Sequence, residues 1–356
     1  MERVEYSLIL VVNLGGIGDL MLSSPAVRHI RRCFPEARMR LLTSPQGAEY
    51  GRSLSCFERV LTLDAGSGIF RRAAGMATLL GLRAARFDLC VNMRTIVSAA
   101  SRGRMKFLIS LINAKRSAGR DTAGRGDFFD IRVAEGDGDG EGIYEREYDC
   151  AMAEALTGIP VSDREIDFSI DRGSDERVAR LFAGAGIGAG DRVIGIHLGG
   201  KPSHAWPAEN FFAAAGIAAE RFSCKLVVTG TAQEGRRASH LTACFSRPVL
   251  DLTGRLTLAE LGAAIRRCSA YATSDTAPMH IAAVLKVPLV AVFGPGYLRR
   301  FDPRAIAPRS IVLYKKAECA PCDRVECPSG KCLADITPAE CADALAVLLS
   351  DKEAGG

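Results

Sequence analysis

Long apolar runs are missing from this chain of 356 residues. The longest, LILVV near the start and LVAVF near residue 290, fall far short of the ~20 residues that cross a bilayer, which sets aside a membrane-spanning helical protein. The opening residues, MERVEYS, carry acids and no apolar core, so a secretory signal is not expected and a cytoplasmic location is. A strong charge of either sign is also missing: the net charge is +5, which calls for no nucleic-acid partner. Aromatic residues are scarce at 6%, with a single tryptophan, Trp206, expected to pack under a loop. What remains is ordinary for a folded chain, 48% hydrophobic and 24% charged, and excludes a disordered or fibrous protein. The length is too great for one core, and two domains of about 150–180 residues are expected. Twelve cysteines in a reducing compartment are expected to stay mostly as thiols.

The stretch with the most structure written into it is Ser274–Pro295, SDTAPMHIAAVLKVPLVAVFGP. It reads as a turn, a helix and a buried strand. Ser274 and Asp275 are helix-capping types, and Pro278 fits a first turn, where its missing N–H costs nothing. Met279, Ala282 and Ala283 form an apolar face, Pro288 stops the helix, and LVAVF is apolar on both faces, as strands of parallel sheets are. A helix N-terminus at the edge of such a sheet suits an anion, and a phosphate-bearing ligand is the expected guest of Asp275, Thr276 and His280.

From the start of the chain, SLILVVNL reads as a first strand, followed by Gly15-Gly16-Ile17-Gly18-Asp19 and a helix. That helix begins either at Asp19, with a bend at Pro25, or at Ser24. The order is that of a nucleotide-binding α/β fold, but the dinucleotide fingerprint fails, because Met21 stands where glycine or alanine is required. The segment from Arg94 to Arg125 carries eight basic residues against Asp121 alone; it is either a solvated helix face or a surface for an anionic acceptor. The D-G-D-G-E-G run near residue 140 lacks the Glu that a calcium loop needs at position twelve, where Tyr148 stands, and reads as a surface loop. Residues 144–157 follow as an amphipathic helix. Strand–helix alternation restarts after a boundary near 168–176, giving domains 1–172 and 173–356. Both halves alternate, so the expected fold is α/β, two doubly wound Rossmann-like domains with a cleft between them. Near the end, Cys319, Cys322, Cys327 and Cys332 offer a tetrahedral thiolate site, an iron–sulfur site, or simply packed thiols or a disulfide.

Three motifs together, GGIGDLMLSSPAVRHIRRCFPEARMRLLT, IGIHLGG…AWPAENF, and DLTGRLTLAELGAAI with SDTAPMHIAAVLKVPLVAVFGP, resemble the ADP-heptose:lipopolysaccharide heptosyltransferases, family nine of the glycosyltransferases. The resemblance covers nearly the whole chain. It implies the GT-B fold, with the acceptor on the first domain and the nucleotide sugar on the second. It further implies inverting, metal-independent transfer of a heptose from an ADP-sugar, with no added cofactor, to an anionic lipid-linked saccharide at the inner face of the inner membrane. Asp19 matches the family's base; helix capping is its other reading. The resemblance assigns the donor to Gly199, Gly200, Lys201, His204, Glu234, Asp275, Thr276, Ala277 and His280. It places acceptor contacts at Arg71 and Arg72, along with the Gly16 and Gly18 turn, and Arg120 and Arg125 are further acceptor candidates because a guanidinium pairs acidic sugars or phosphates bidentately. Relatives often carry glycine at Ala277, and lysine at His204, so either His204 or Lys201 is expected to reach the diphosphate. Thr276 and the Ala277 N–H are the better phosphate donors, while Asp275 is expected to orient the turn or a ligand hydroxyl. Other readings of the same fold are a different sugar transferase, a nucleotide-sugar epimerase, or a non-catalytic nucleotide-sugar-binding subunit.

Overall fold

The computed structural model describes residues 5–64, 69–135, 142–245, 247–322, 327 and 329–350, and for 69–74 the backbone alone. The chain forms two compact units, one ending at Asp167 and one starting at Phe168. Among the described residues no helix is long and apolar enough to cross a membrane.

The first unit runs β1 (Leu8–Asn13), α1 (Ile17–Cys33), β2 (Arg38–Thr43), α2 (Ala48–Ser53), β3 (Arg59–Thr62), α3 (Ile69–Ala84), β4 (Leu89–Asn92), α4 (Ala99–Ile112), β5 (Arg116–Thr122), β6 (Ile131–Glu135) and α5 (Glu145–Thr157). Its six strands are all parallel, in the order β3-β2-β1-β4-β5-β6. Every residue of β1 is buried, which is why LILVVN shows no apolar–polar alternation: it lies at the centre of the sheet with both faces covered. The order reverses between β1 and β4, and in such sheets ligands bind outside the carboxyl ends of the strands at that switch.

α1 resolves the ambiguity at Pro25. The helix starts at Ile17 and runs through the proline. A proline here cannot donate to the carbonyl of Met21 four residues back. The Ser24 hydroxyl takes that carbonyl instead, at 2.7 Å, so the ladder loses one N–H without stranding an acceptor. Ser24 therefore mends the helix and does not cap it.

The basic segment from Arg94 to Arg125 is no single element. It is a loop, then α4, then β5, a strand that goes unread because RSAGRDT has no apolar run. Its interior, Ser117 to Arg120, is buried nonetheless. The acidic run at 136–141 lies outside the described residues.

The second unit runs α6 (Arg172–Gly184), β7 (Val193–His197), α7 (Ala208–Phe222), β8 (Lys225–Thr229), α8 (Gly235–Cys244), β9 (Val249–Asp251), α9 (Leu258–Arg266), β10 (Ala270–Ser274), α10 (Ala277–Val284), β11 (Leu289–Phe293), α11 (Leu298–Phe301), β12 (Ser310–Tyr314), α12 (Lys331–Ala334) and α13 (Pro338–Ser350). α6 begins at Arg172 because the Asp171 carboxylate accepts from the Ser174 N–H at 2.9 Å, an N-cap. Its sheet is again all parallel, β12-β11-β10-β7-β8-β9, so the two units repeat one topology. The switch point here lies between β7 and β10. α13 returns to cover this sheet, and Trp206, fully buried, joins its core with its ring nitrogen donating to the Ile336 carbonyl at 3.2 Å. Packing is thus the role of Trp206.

Candidate active site

In the first unit the site begins with sterics. The turn after β1 places Gly15 where a Cβ would lie 2.5 Å from an Asp19 carboxylate oxygen and 2.8 Å from an Arg94 guanidinium nitrogen. Only glycine leaves room for those two side chains to meet, and they do, as an ion pair. The Gly16 N–H also donates to Asp19 Oδ2 at 2.8 Å. Asp19 thus closes the first turn of α1 on itself, and its side chain keeps 20% of its surface exposed. Asp19 follows β1 and Arg94 follows β4, so the pair stands at the switch point of this sheet. Arg94 was legible only as one basic residue among eight; nothing in its neighbourhood in sequence marks it as the partner of Asp19. Gly18 is buried within the helix and Gly16 is exposed at its mouth.

Beneath the pair lies a buried polar layer. Arg120, with no exposed surface, meets Glu135 Oε1 at 2.5 Å, Glu145 Oε1 at 2.6 Å and Asp149 Oδ1 at 2.9 Å, and also touches the Thr95 hydroxyl. The Tyr148 ring stacks on its guanidinium. The expectation that Arg120 contacts the acceptor is therefore corrected: its fork is enclosed by three carboxylates and a ring, and no ligand reaches it. Arg125 turns back onto its own loop, donating to the Thr122 carbonyl at 3.3 Å. The side chains of Arg71 and Arg72 lie outside the described residues.

In the second unit the loops after β7, β8 and β10 converge. Gly200 adopts φ +152, and a Cβ there would stand 2.9 Å from Thr276. A Cβ on Gly199 would lie 3.6 Å from Glu234 Oε2. The glycine turn, the Glu234 carboxylate and the start of α10 thus share one edge, across the β7/β10 switch. Trp206 N–H donates to Ser274 Oγ at 2.9 Å and pins the loop carrying Lys201 and His204 to β10. Glu234 accepts from the backbone N–H and hydroxyl of Thr231, at 2.8 and 2.5 Å, so it braces its own turn.

α10 opens with Thr276 at its N-cap and Pro278 in its first turn. The Ala277 N–H belongs to that first turn and has no place in the helix ladder. Asp275 points the other way, against Gly296 after β11, where a Cβ would lie 2.6 Å from its Oδ2. His280 is buried one turn into α10 with its ring edge-on to Phe301 at 6.1 Å. His204 is buried too, its Nδ1 2.8 Å from Ser203 Oγ, whereas Lys201 is exposed. His197, at the end of β7, is held by Thr229 at 3.0 Å, and burial lowers its pKa to about 4, so it stays neutral. Of the four clustered cysteines Cys319 is exposed and Cys332 buried; among the described residues no three His, Cys, Asp or Glu side chains are arranged to hold a metal.

Two parallel sheets of identical strand order, each with a glycine turn and polar residues at its switch point, are those of the GT-B architecture. The chain belongs to glycosyltransferase family 9 (heptosyltransferase), whose profile matches residues 77–333. It is 23% identical over 292 residues to lipopolysaccharide heptosyltransferase 3 of Escherichia coli, covering 78% of this chain and 80% of that one. Among solved structures it resembles E. coli ADP-heptose lps heptosyltransferase II, with TM-score 0.71 at 19% identity, covering 97% and 99% of the two chains. It also resembles E. coli heptosyltransferase WaaC with ADP-2-deoxy-2-fluoro heptose, with TM-score 0.66 at 16% identity, covering 98% and 100%. The protein is a glycosyltransferase.

Proposed function

We propose that this enzyme transfers a heptose from an ADP-sugar to an anionic, lipid-linked saccharide of the lipopolysaccharide inner core, with inversion and without a metal. The observation that carries this reading is Asp19: a carboxylate at the β1/β4 switch, on a glycine turn open to solvent, fixed by Gly16 and Arg94. Asp19 removes the proton from the acceptor hydroxyl as that oxygen attacks the anomeric carbon. The anomeric C–O bond to the diphosphate breaks on the opposite face, which inverts the configuration. Negative charge then grows on the departing ADP. Thr276 and the Ala277 N–H at the start of α10, with Lys201 from the glycine loop, are suited to receive it. Lys201 is preferred to His204 because its ammonium is exposed while the His204 ring is buried against Ser203. Glu234 stands beside Gly199 for a nucleoside hydroxyl, and Asp275 and His280 shape the turn around the donor. Gly16, Gly18, Arg125, Arg71 and Arg72 remain the acceptor candidates. The domain roles follow: the unit carrying Asp19 takes the acceptor, the unit carrying Thr276 the nucleotide sugar.

The test is turnover of the purified chain with ADP-heptose and an inner-core acceptor in the presence of EDTA. We expect release of ADP and a product whose anomeric configuration is inverted relative to the donor. Transfer only with UDP-sugars, retention of configuration, or loss of turnover to EDTA would each remove the corresponding part of the reading.

A lipid-linked acceptor also asks for contact with the inner face of the membrane. Met76 and Leu80 on α3 and Phe107 on α4 are 54%, 60% and 64% exposed. Arg83 reaches from α3 to the Leu111 carbonyl of α4, so the two helices are neighbours, and Arg83, Arg104 and Lys106 on them are exposed as well. Neighbouring helices that carry both exposed apolar side chains and exposed cations suit an anionic lipid surface. The double variant Leu80→Asp with Phe107→Asp should co-sediment with phosphatidylglycerol vesicles about tenfold less than the parent. Equal sedimentation would place the membrane contact elsewhere.

A further inference from the structure

The layer beneath Asp19 holds more acid than base. Glu135, Glu145 and Asp149 surround one guanidinium, Arg120, and all four side chains are at most 3% exposed. Two uncompensated charges in such a place are costly, and one carboxyl is expected to keep its proton. The hydrogen bonds at Glu135 and at Ser23 point to Asp149. Glu135 Oε1 and Oε2 receive the hydroxyls of Thr95 and Thr122, at 2.9 and 2.8 Å, which suits an ionised acceptor. At Ser23 the situation differs. Its Oγ stands 2.6 Å from Asp149 Oδ2 and 3.0 Å from the Asp19 carbonyl, and receives Asn13 Nδ2 at 2.9 Å. A hydroxyl has one hydrogen to give and two lone pairs to fill. If Asp149 is ionised, Ser23 must donate to it and leaves the Asp19 carbonyl. If Asp149 carries a proton, it donates to Ser23, Asn13 fills the second lone pair, and the Ser23 hydrogen goes to the Asp19 carbonyl. The Asp19 carbonyl, which Asn13 Nδ2 reaches at 3.4 Å in either state, then gains the Ser23 hydrogen as well.

We propose that Asp149 is carried as a neutral carboxylic acid and that, through Ser23, it is a positioning residue for Asp19. This rests on the reading of Asp19 as the base. Burial, with Glu145 adding to it and Arg120 opposing it, pushes the Asp149 carboxyl up to about 7, in the same direction. The groups facing Asp149 are Arg120 from β5, Glu145 from its own helix, Ser23 from α1 and, farther off, Arg94 after β4. Glu135 of β6 holds the other side of the guanidinium, and His29 of α1 is engaged by Thr157 instead. Ionisation of Asp149 turns the Ser23 hydrogen away from the first turn of α1 and loosens the residue that must meet the acceptor.

Asparagine imitates the neutral acid: its N–H donates to Ser23 and its oxygen accepts from Arg120. A carboxyl raised in the fold adds stability that is fully present below its unfolded pKa and is lost as pH rises through its folded one. The full-length Asp149→Asn variant should therefore gain stability relative to the parent as pH rises from about 4 to 7. A difference that is flat, or that runs the other way as for an ionised, salt-bridged Asp, overturns the neutral acid. In infrared difference spectra at mildly acidic pH, the parent should show a protonated carboxyl band that the variant lacks. In turnover, Asp149→Leu should lower kcat about tenfold or more with the donor KM unchanged, while Asp149→Asn recovers most of that loss. The fall in parental kcat as pH passes about 7 should be missing from Asp149→Asn. Equal losses in the two variants overturn the positioning role. If Asp19→Asn proves fully active, the base reading falls alone, because the stability difference and the infrared band report the Asp149 proton without it.

Discussion

Asp19→Asn is expected to slow transfer by about 10²–10⁴-fold, the contribution of a well-placed general base, while leaving the affinity for ADP-heptose unchanged. The substitution is nearly isosteric. The asparagine oxygen still accepts from the Gly16 N–H, so the first turn of α1 keeps its closure. What it loses is the negative charge that pairs with Arg94 and the lone pair that takes the acceptor's proton. The residues proposed for the donor belong to the other unit, at the ends of β7, β8 and β10. Turnover at saturating donor, beside calorimetric titration with ADP-heptose, separates the two effects. A matched loss of donor affinity would make Asp19 a binding residue. Retained turnover would return it to helix capping alone.

Arg120→Met should cost the first unit about 3–5 kcal/mol, the usual consequence of removing one partner from a buried ion cluster. The methionine fills much of the space, so a cavity is a small part of the loss. The main part is Glu135 and Glu145 left in a dry layer without their cation, beside the neutral Asp149. They respond by holding protons, which raises their pKa in the fold above the unfolded value. Raised carboxyls stabilise the fold at low pH and lose that contribution as pH rises. The deficit relative to the parent should therefore be largest above neutrality and shrink toward about pH 4. Urea unfolding read by amide exchange within residues 5–167 measures it for this unit alone. Adding Glu145→Gln should restore part of the stability, because it removes an acid that needs a partner. A loss below about 1 kcal/mol would mean that Arg120 contributes no more than an exposed pair does.

Much of the scaffold is legible before any coordinates. The runs LILVVN and LVAVF are apolar on both faces and become buried parallel strands. The Gly15–Asp19 turn and Ser274–Pro288 announce their helices through glycine and proline, which act within a few residues of chain, although Ser274 ends β10 and the N-cap of α10 is Thr276, so the capping expected of Ser274 and Asp275 is not made. The paired alternation of strand and helix becomes two sheets of one topology. Such features depend on local sterics and on the hydropathy of short windows.

Other features depend on neighbours that are distant in sequence. Arg120 reads as a surface cation because charge normally means solvent, yet Glu135, Glu145 and Asp149 make its burial tolerable, and they arrive from β6 and α5. β5 goes unseen because a strand so polar owes its existence to its neighbours in the sheet. Pro25 reads as a helix start or a bend, and only the Ser24 hydroxyl on the Met21 carbonyl shows how the helix continues.

The amino-acid sequence by itself determined the α/β class, the two-part organisation of its motifs, and the residue types that gather at the two switch points. Tertiary structure decided that Asp19 meets Arg94 across 75 residues of chain, that Arg120 lies buried beneath that pair, and that Ser23 and Asp149 stand behind Asp19. The reason is one of range. Torsions, caps and hydropathy act along the chain and are written in its order, whereas the charge state of a buried group is set by whatever the fold packs around it.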